Sequence, residues 1–326
     1  MYKKINTFTY MMLIFFISTS TVAFSAETTE IKVGGPPNIA MLVLVAQAKG
    51  FFNEEKVNVK YVHLQTGKIA QDALSSGDID LGILVDSNIA FVNFQEGNDV
   101  KVIAAIEEKN DDSLLYRKDK IKSIADLKGK KIAYLPATTS HVYLERFLSK
   151  NNIPFNKIKP VSLLPAAMIP ALIKGDVDAI SIWQPFIYNA QKQLGENAGE
   201  FSDKEAYTAY ALLASKSNNI IKYSAEYQSI LKALIKAEEF VKNQPNEAIT
   251  ILATAIPMDE KILATIWDKY KLQVRLDKVI LSLLQEEGTW ISKSQRAFKG
   301  KPVPNYANKI DATVLKAVAP DRVSIE

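Results

Sequence analysis

From Ile31 onward, short runs with a hydrophobic period of two alternate with longer stretches whose apolar residues recur at three and four. Ile31-Lys32-Val33 reads as a strand that breaks at Gly34-Gly35-Pro36-Pro37. Leu42, Val45 and Ala46 then share one face of a helix over about residues 39–49. Val57, Val59, Tyr61 and His63 fall on one face of a second strand, and a helix over about 68–75 stops at Gly77. Ile79 to Leu84 predicts a buried strand, and Ile89, Ala90, Val92 and Phe94 predict the next helix. Val100 to Ile106 closes a β-α-β-α-β-α-β series, the signature of a parallel sheet with helices on both faces.

The pattern then repeats. Leu114 to Arg117 reads as a crossing segment, Ile132 to Leu135 and Val161 to Leu164 as strands, and about 141–149 as a helix showing Val142, Leu144, Phe147 and Leu148. Gly175-Asp176-Val177-Asp178-Ala179 echoes Gly77-Asp78-Ile79-Asp80-Leu81, each after a helix containing Ala-Leu (Ala171-Leu172, Ala73-Leu74). The repeated unit is helix, tight Gly-Asp turn and buried strand, and two copies predict two similar lobes facing each other. Tyr210 to Ala214 reads as the return crossing. Beyond about 215 the spacing is helical almost throughout, with Pro245 and Pro257 where helices start. The expected organisation is a leader over 1–25, one discontinuous lobe from 30–110 and 215–326, and a second from 111–214.

Composition narrows the function classes. At 48% hydrophobic and 23% charged residues the chain carries enough apolar material for a large core, which excludes disorder. Its net charge of +4 comes with no basic block among exposed aromatics, so nucleic acid is not an expected partner. Lys3 and Lys4, the apolar run Tyr10 to Ile17 and the small residues Ala23, Ser25 and Ala26 have the three parts of a cleavable export signal. That run is shorter than the roughly 18 to 20 residues needed to span a bilayer. The absence of cysteine excludes thiol catalysis and thiolate metal sites, and His63 and His141 are the only histidines, so neither a metal site nor a cofactor is expected.

In open α/β sheets, ligands bind beyond the carboxyl ends of the strands, where helix N-termini present unpaired amides to an oxyanion. Those ends supply the candidates. Thr138, Thr139 and Ser140 offer hydroxyls beside a helix start, or simply cap it; His141 begins that helix. Trp183 is placed to wall a cleft, or to be buried between strand and helix, and Tyr188 follows one turn later. Asp86 either caps the next helix or pairs with a cationic ligand group. Asn38, Gln65, Thr66, Ser87 and Asn88 supply neutral hydrogen bonds, or are solvated loop residues. Asp78, Asp80, Asp176 and Asp178 sit at the opposite strand ends and are structural. Ser140, His141 and Asp86 contain the residue types of a hydrolytic triad, but adjacent Ser and His do not form an oriented pair and no nucleophile elbow is present.

Taken in order, Ile31-Lys32-Val33-Gly34, Ala48-Lys49-Gly50-Phe51-Phe52, Ala125 to Ala133, the hydroxyl-rich loop ending in His141, and Gly-Asp-Val-Asp-Ala followed by Trp183-Gln184-Pro185 resemble a known family. It is that of the periplasmic substrate-binding proteins of ABC importers, in the branch that binds aliphatic sulfonates, taurine, nitrate and thiamine pyrimidines. The resemblance is good over about 30–215 and general beyond. It implies a two-lobed type II binding-protein fold with two hinge crossings, each lobe a mainly parallel sheet with helices on both faces, closing on its ligand. It also implies no catalytic activity, capture of a small polar anion or zwitterion, and delivery to an ABC permease with a cytoplasmic ATPase. A monomer in the periplasm is expected. Two alternatives stay open: a binding protein or enzyme for a thiamine-pyrimidine precursor, and a periplasmic ligand sensor.

Overall fold

The computed structural model describes residues 29–325 except Pro257, so the export signal and the helix start at Pro257 lie outside the described residues. Eleven strands form two sheets: β1 (Glu30–Gly35), β2 (Asn58–His63), β3 (Leu81–Val85), β4 (Val100–Lys109), β5 (Asp112–Arg117), β6 (Lys131–Tyr134), β7 (Lys159–Ser162), β8 (Ala179–Trp183), β9 (Ala198–Phe201), β10 (Ala209–Lys216) and β11 (Tyr270–Arg275). The order is β11-β4-β10-β3-β1-β2 in the first sheet and β7-β6-β8-β5-β9 in the second. The strands of the βα units pair in parallel, β2-β1-β3 in one lobe and β7-β6-β8 in the other. The strands next to the crossings, β10 and β5, run antiparallel to their neighbours, so each sheet is mixed.

Leu114 to Arg117 and Tyr210 to Ala214 are therefore not crossings. Both belong to strands inside a sheet, β5 and β10, because strands buried on both faces look as apolar as a hinge strand. The chain crosses at Asn110-Asp111 and again between Phe201 and Ala209. The C-terminal third is not wholly helical either. Tyr270 to Arg275 is an edge strand on β4, where Leu272 and Val274 alternate with polar residues.

Successive residues of a strand face opposite sides, and the second lobe shows it directly. Leu114 and Ile132 join Val142, Leu144 and Phe147 in one core, while Leu115, Ala133, Ile180 and Ile182 join Met168, Leu172 and Ile187 in another on the far face. The first lobe has a larger core, to which the Met41–Ala48, Gly67–Ser76 and Ser224–Asn243 helices contribute. The Lys278–Ser294 helix belongs to both lobes: its Leu283 and Trp290 pack against the first core and against the second.

The repeated Gly-Asp turns do the same job twice. Gly77 and Gly175 end their helices with φ of 90° and 83°, which an L side chain resists. The second aspartate of each turn then clips onto the neighbouring parallel strand. Asp80 donates its amide to the Lys32 carbonyl at 3.0 Å and accepts the Lys32 amide on Oδ2 at 3.0 Å. Asp178 does so with Lys131 at 2.8 and 2.9 Å. These turns register the strands from the back of each lobe, leaving the other strand ends free for a site.

Candidate functional site

The carboxyl ends of β1, β2, β3 and β4 lie on the same edge of the first sheet and face the ends of β6 and β8. Between them is a narrow inner cavity lined by Pro36, Asn38, Ile39, Gln65, Thr66, Gly67, Val85, Asn88, Lys109, Thr138, Thr139 and Trp183. It adjoins a wider outer chamber, and Asn38, Gln65 and Thr66 line both. The outer chamber is mostly apolar: Pro37 and Ile69 on the first lobe face Leu164, Pro165, Ala166 and Phe186 on the second, with His63, Pro185 and Asn189 completing it.

Two helix starts meet at the inner cavity. Thr66 caps the Gly67–Ser76 helix by accepting the Ile69 amide on its hydroxyl at 3.2 Å. Thr138 precedes the Thr139–Lys150 helix. Among the described residues the amides of Gly67 and Thr139, both lining residues, have no acceptor. Unpaired first-turn amides carry the positive end of the helix dipole, so the cavity offers an oxyanion two donors, one from each lobe. Glycine at 67 leaves Asn88 in place: a Cβ there would stand 2.2 Å from Asn88 Oδ1, so a larger residue has to push that side chain aside.

The lobes touch around the cavity. Asn88 accepts the Val85 amide at 3.3 Å and donates across the cleft to the Ala137 carbonyl at 3.0 Å. Asn38 donates to the Gln184 carbonyl at 3.5 Å. Trp183, at the end of β8, is only 7% exposed and meets Phe186 edge-on with ring centres 6.0 Å apart, joining inner cavity to outer chamber.

Seven of the residues expected from the sequence are brought together here: Asn38, Gln65, Thr66, Asn88, Thr138, Thr139 and Trp183. The hydroxyls of the Thr-Thr-Ser loop nevertheless spend their protons inward. Thr138 donates to the Leu135 carbonyl at 2.7 Å, Thr139 to Asp112 at 2.8 Å and Ser140 to the Ser181 carbonyl at 2.7 Å. Thr138 and Thr139 thus line the cavity with their hydroxyl protons already committed within the protein.

Five others do not line either chamber. Ser140 is fully buried between Ser181 and the Leu135 amide. His141 accepts the Ala137 amide on Nδ1 at 3.3 Å and makes a 3.2 Å contact with Glu145 through Nε2, inside a cluster with Phe91, Tyr134 and Trp290. Glu145 also accepts from Trp290 at 2.9 Å and Gln295 at 3.2 Å. Burial raises the Glu145 carboxyl, but these donors outweigh it and hold it below its ordinary value. Ser87 is buried, and Tyr188 lies one turn beyond Gln184, whose side chain accepts the Tyr188 amide. Asp86 turns away from the cavity: it accepts from the Tyr207 hydroxyl at 2.5 Å and the Tyr210 amide at 3.0 Å. Burial pushes the carboxyls of both Asp86 and its neighbour Glu287 up. The Arg146 charge opposes that rise on both carboxyls, and the Tyr207 and Tyr210 donors oppose it further on Asp86.

Lys109 was absent from the sequence-based set. Strand β4 runs three residues past Ile106, which buries Glu107 and Lys109, and Asp111 and Asp112 are buried where the chain crosses. The signal available was topological: β4 ends on the same edge as β1, β2 and β3.

Two sheets joined by two short crossings around a polar cleft define the two-lobed periplasmic binding-protein fold. The alkanesulfonate-binding protein SsuA of Xanthomonas axonopodis pv. citri, bound to MOPS, superposes with a TM-score of 0.75 at 22% identity, covering 88% of this chain and 99% of that one. The chain belongs to the NMT1/THI5-like family, whose pattern it matches over residues 37–248. An Escherichia coli (strain K12) protein named for binding aliphatic sulfonates is 28% identical over 258 residues, 77% of this chain and 80% of that protein. A taurine-binding periplasmic protein of Escherichia coli (strain K12) is 30% identical over 172 residues, 52% of this chain and 53% of that protein.

Proposed function

We propose that this protein is a non-catalytic periplasmic receptor that captures a small organic sulfonate between its lobes and hands it to an ABC permease. The carrying observation is the pairing of a polar inner cavity, with two unpaired helix-start amides, and an apolar outer chamber. That combination suits an oxyanion head with a hydrocarbon tail. A bare nitrate would leave the outer chamber unfilled. A taurine-like zwitterion would bring an ammonium group, and no described residue lining either chamber is a carboxylate. Asp86, which could have served, is held by Tyr207 and Tyr210. The names of the sulfonate-binding relatives support the same ligand class.

Titration calorimetry with linear alkanesulfonates tests this. Each methylene buried in the outer chamber contributes about 0.8 kcal/mol, so affinity rises roughly fourfold per carbon until the chamber is filled. Nitrate and taurine bind more weakly than pentanesulfonate. Taurine binding tighter than pentanesulfonate, or no dependence on chain length, would overturn the proposal.

A further inference from the structure

Lys109 is the last residue of β4, next to the Asn110-Asp111 crossing, and it lines the inner cavity although its side chain is only 1% exposed. A buried ammonium is costly unless its donors are used. Lys109 Nζ has three N–H donors and, among the described residues, makes one hydrogen bond, to Asp111. The nearest Asp112 oxygen is 3.9 Å away, beyond hydrogen-bond reach. Asp111 is itself shared, accepting from the Tyr270 hydroxyl at 3.0 Å. Burial pulls the Lys109 ammonium down, but Asp111 and Asp112 outweigh it and take it up to about 12, so the charge is permanent at neutral pH. Two donors of a fixed positive charge are thus left over at a cavity that already presents two free amides.

We propose that Lys109 completes its hydrogen bonding on the ligand's anionic head and is the residue that makes this protein select a net negative ligand over a neutral one of the same shape. The assignment rests on the sulfonate-receptor reading above. An anion seated there is held by Gly67 of one lobe, Thr139 of the other, and Lys109 on the strand that leads into the crossing. Capture therefore engages both lobes and the hinge at once. Helix-start amides alone would also accept a neutral polar head, since a sulfonamide oxygen takes their hydrogen bonds; a buried cation discriminates by charge.

The test compares 1-pentanesulfonate with pentane-1-sulfonamide, its neutral counterpart, on the wild-type protein and on the double variant Lys109→Met, Asp111→Asn, which removes one charge of each sign. The wild type is expected to favour the sulfonate at least 100-fold. In the double variant that preference falls below about tenfold through weaker sulfonate binding, with sulfonamide affinity changed less than threefold. Should the double variant fail to fold, the side-chain NMR signal of the Lys109 ammonium in wild-type protein is followed instead; it is expected to move with the sulfonate and stay still with the sulfonamide. A double variant that keeps the full preference, or a Lys109 signal indifferent to the sulfonate, overturns the assignment while leaving the sulfonate receptor intact. Equal wild-type affinity for the two compounds does the same. Failure of the wild type to bind either compound overturns both.

Discussion

Replacing Asp86 by alanine leaves the buried Tyr210 amide without its acceptor and leaves the Tyr207 hydroxyl only the longer, 3.3 Å bond to Glu287 Oε1. A buried donor stripped of its partner costs about 1 to 3 kcal/mol, which applies to the Tyr210 amide, and the loss of the Tyr207 bond to a carboxylate adds about 1.5 to 3 kcal/mol less what the Glu287 bond recovers. Part of this is offset, because Glu287 no longer faces a second carboxylate. A net loss of about 3 kcal/mol is expected, or on the order of 5 to 10 °C in melting temperature for a chain of this size. Asp86→Asn keeps one acceptor oxygen and loses about 1 kcal/mol. Urea denaturation followed by tryptophan fluorescence, with m unchanged, reads the difference. Because Asp86 points away from both chambers, neither variant shifts sulfonate affinity more than threefold when measured well below its unfolding midpoint. A stability loss under 1 kcal/mol for Asp86→Ala, or a tenfold affinity loss in either variant, would refute the structural assignment of this residue.

Three further outcomes follow from the geometry. Gly67→Ala forces Asn88 aside and breaks its bond to Ala137, so calorimetry shows at least a tenfold weaker sulfonate affinity with little change in melting temperature. Trp290→Phe keeps the aromatic contacts to Phe91 and His141 but loses the hydrogen bond to the Glu145 carboxylate, which lowers unfolding free energy by about 1.5 to 3 kcal/mol in urea titrations. Burial, partly opposed by Lys109, raises the Asp112 carboxyl to about 7. The folded state therefore holds a proton that the unfolded chain has released, and stability falls as pH rises from about 4 through about 7, by up to roughly 1.4 kcal/mol per pH unit from this group. Asp112→Asn removes that contribution, so denaturation curves across this window flatten relative to wild type.

The two-lobed architecture was legible because its elements announce themselves locally. Gly77 and Gly175 end helices, Asp80 and Asp178 recur at one offset from them, and the strands that follow are continuous apolar runs. The candidate cavity was legible where it depends on strand ends, and Asn38, Gln65, Thr66, Asn88, Thr138, Thr139 and Trp183 line it together. What local pattern does not carry is the direction in which a side chain leaves the backbone. Asp86 and Asn88 both open one helix, yet one is taken by Tyr207 in the second crossing and the other by Ala137 across the cleft. His141 was drawn into an aromatic cluster by Trp290, a residue far along the chain. Lys109 was hidden by its charged neighbours, since only the pairing of β4 between β10 and β11 shows that Glu107 and Lys109 are interior.

A crystal structure of the protein with 1-pentanesulfonate tests the central claim most directly. The account predicts the sulfonate oxygens within hydrogen-bond distance of the Gly67 and Thr139 amides and of Lys109 Nζ, with the pentyl chain running past Trp183 toward Leu164 and Phe186. A sulfonate found only in the outer chamber, or a tail buried in the inner cavity with the head in solvent, would contradict it.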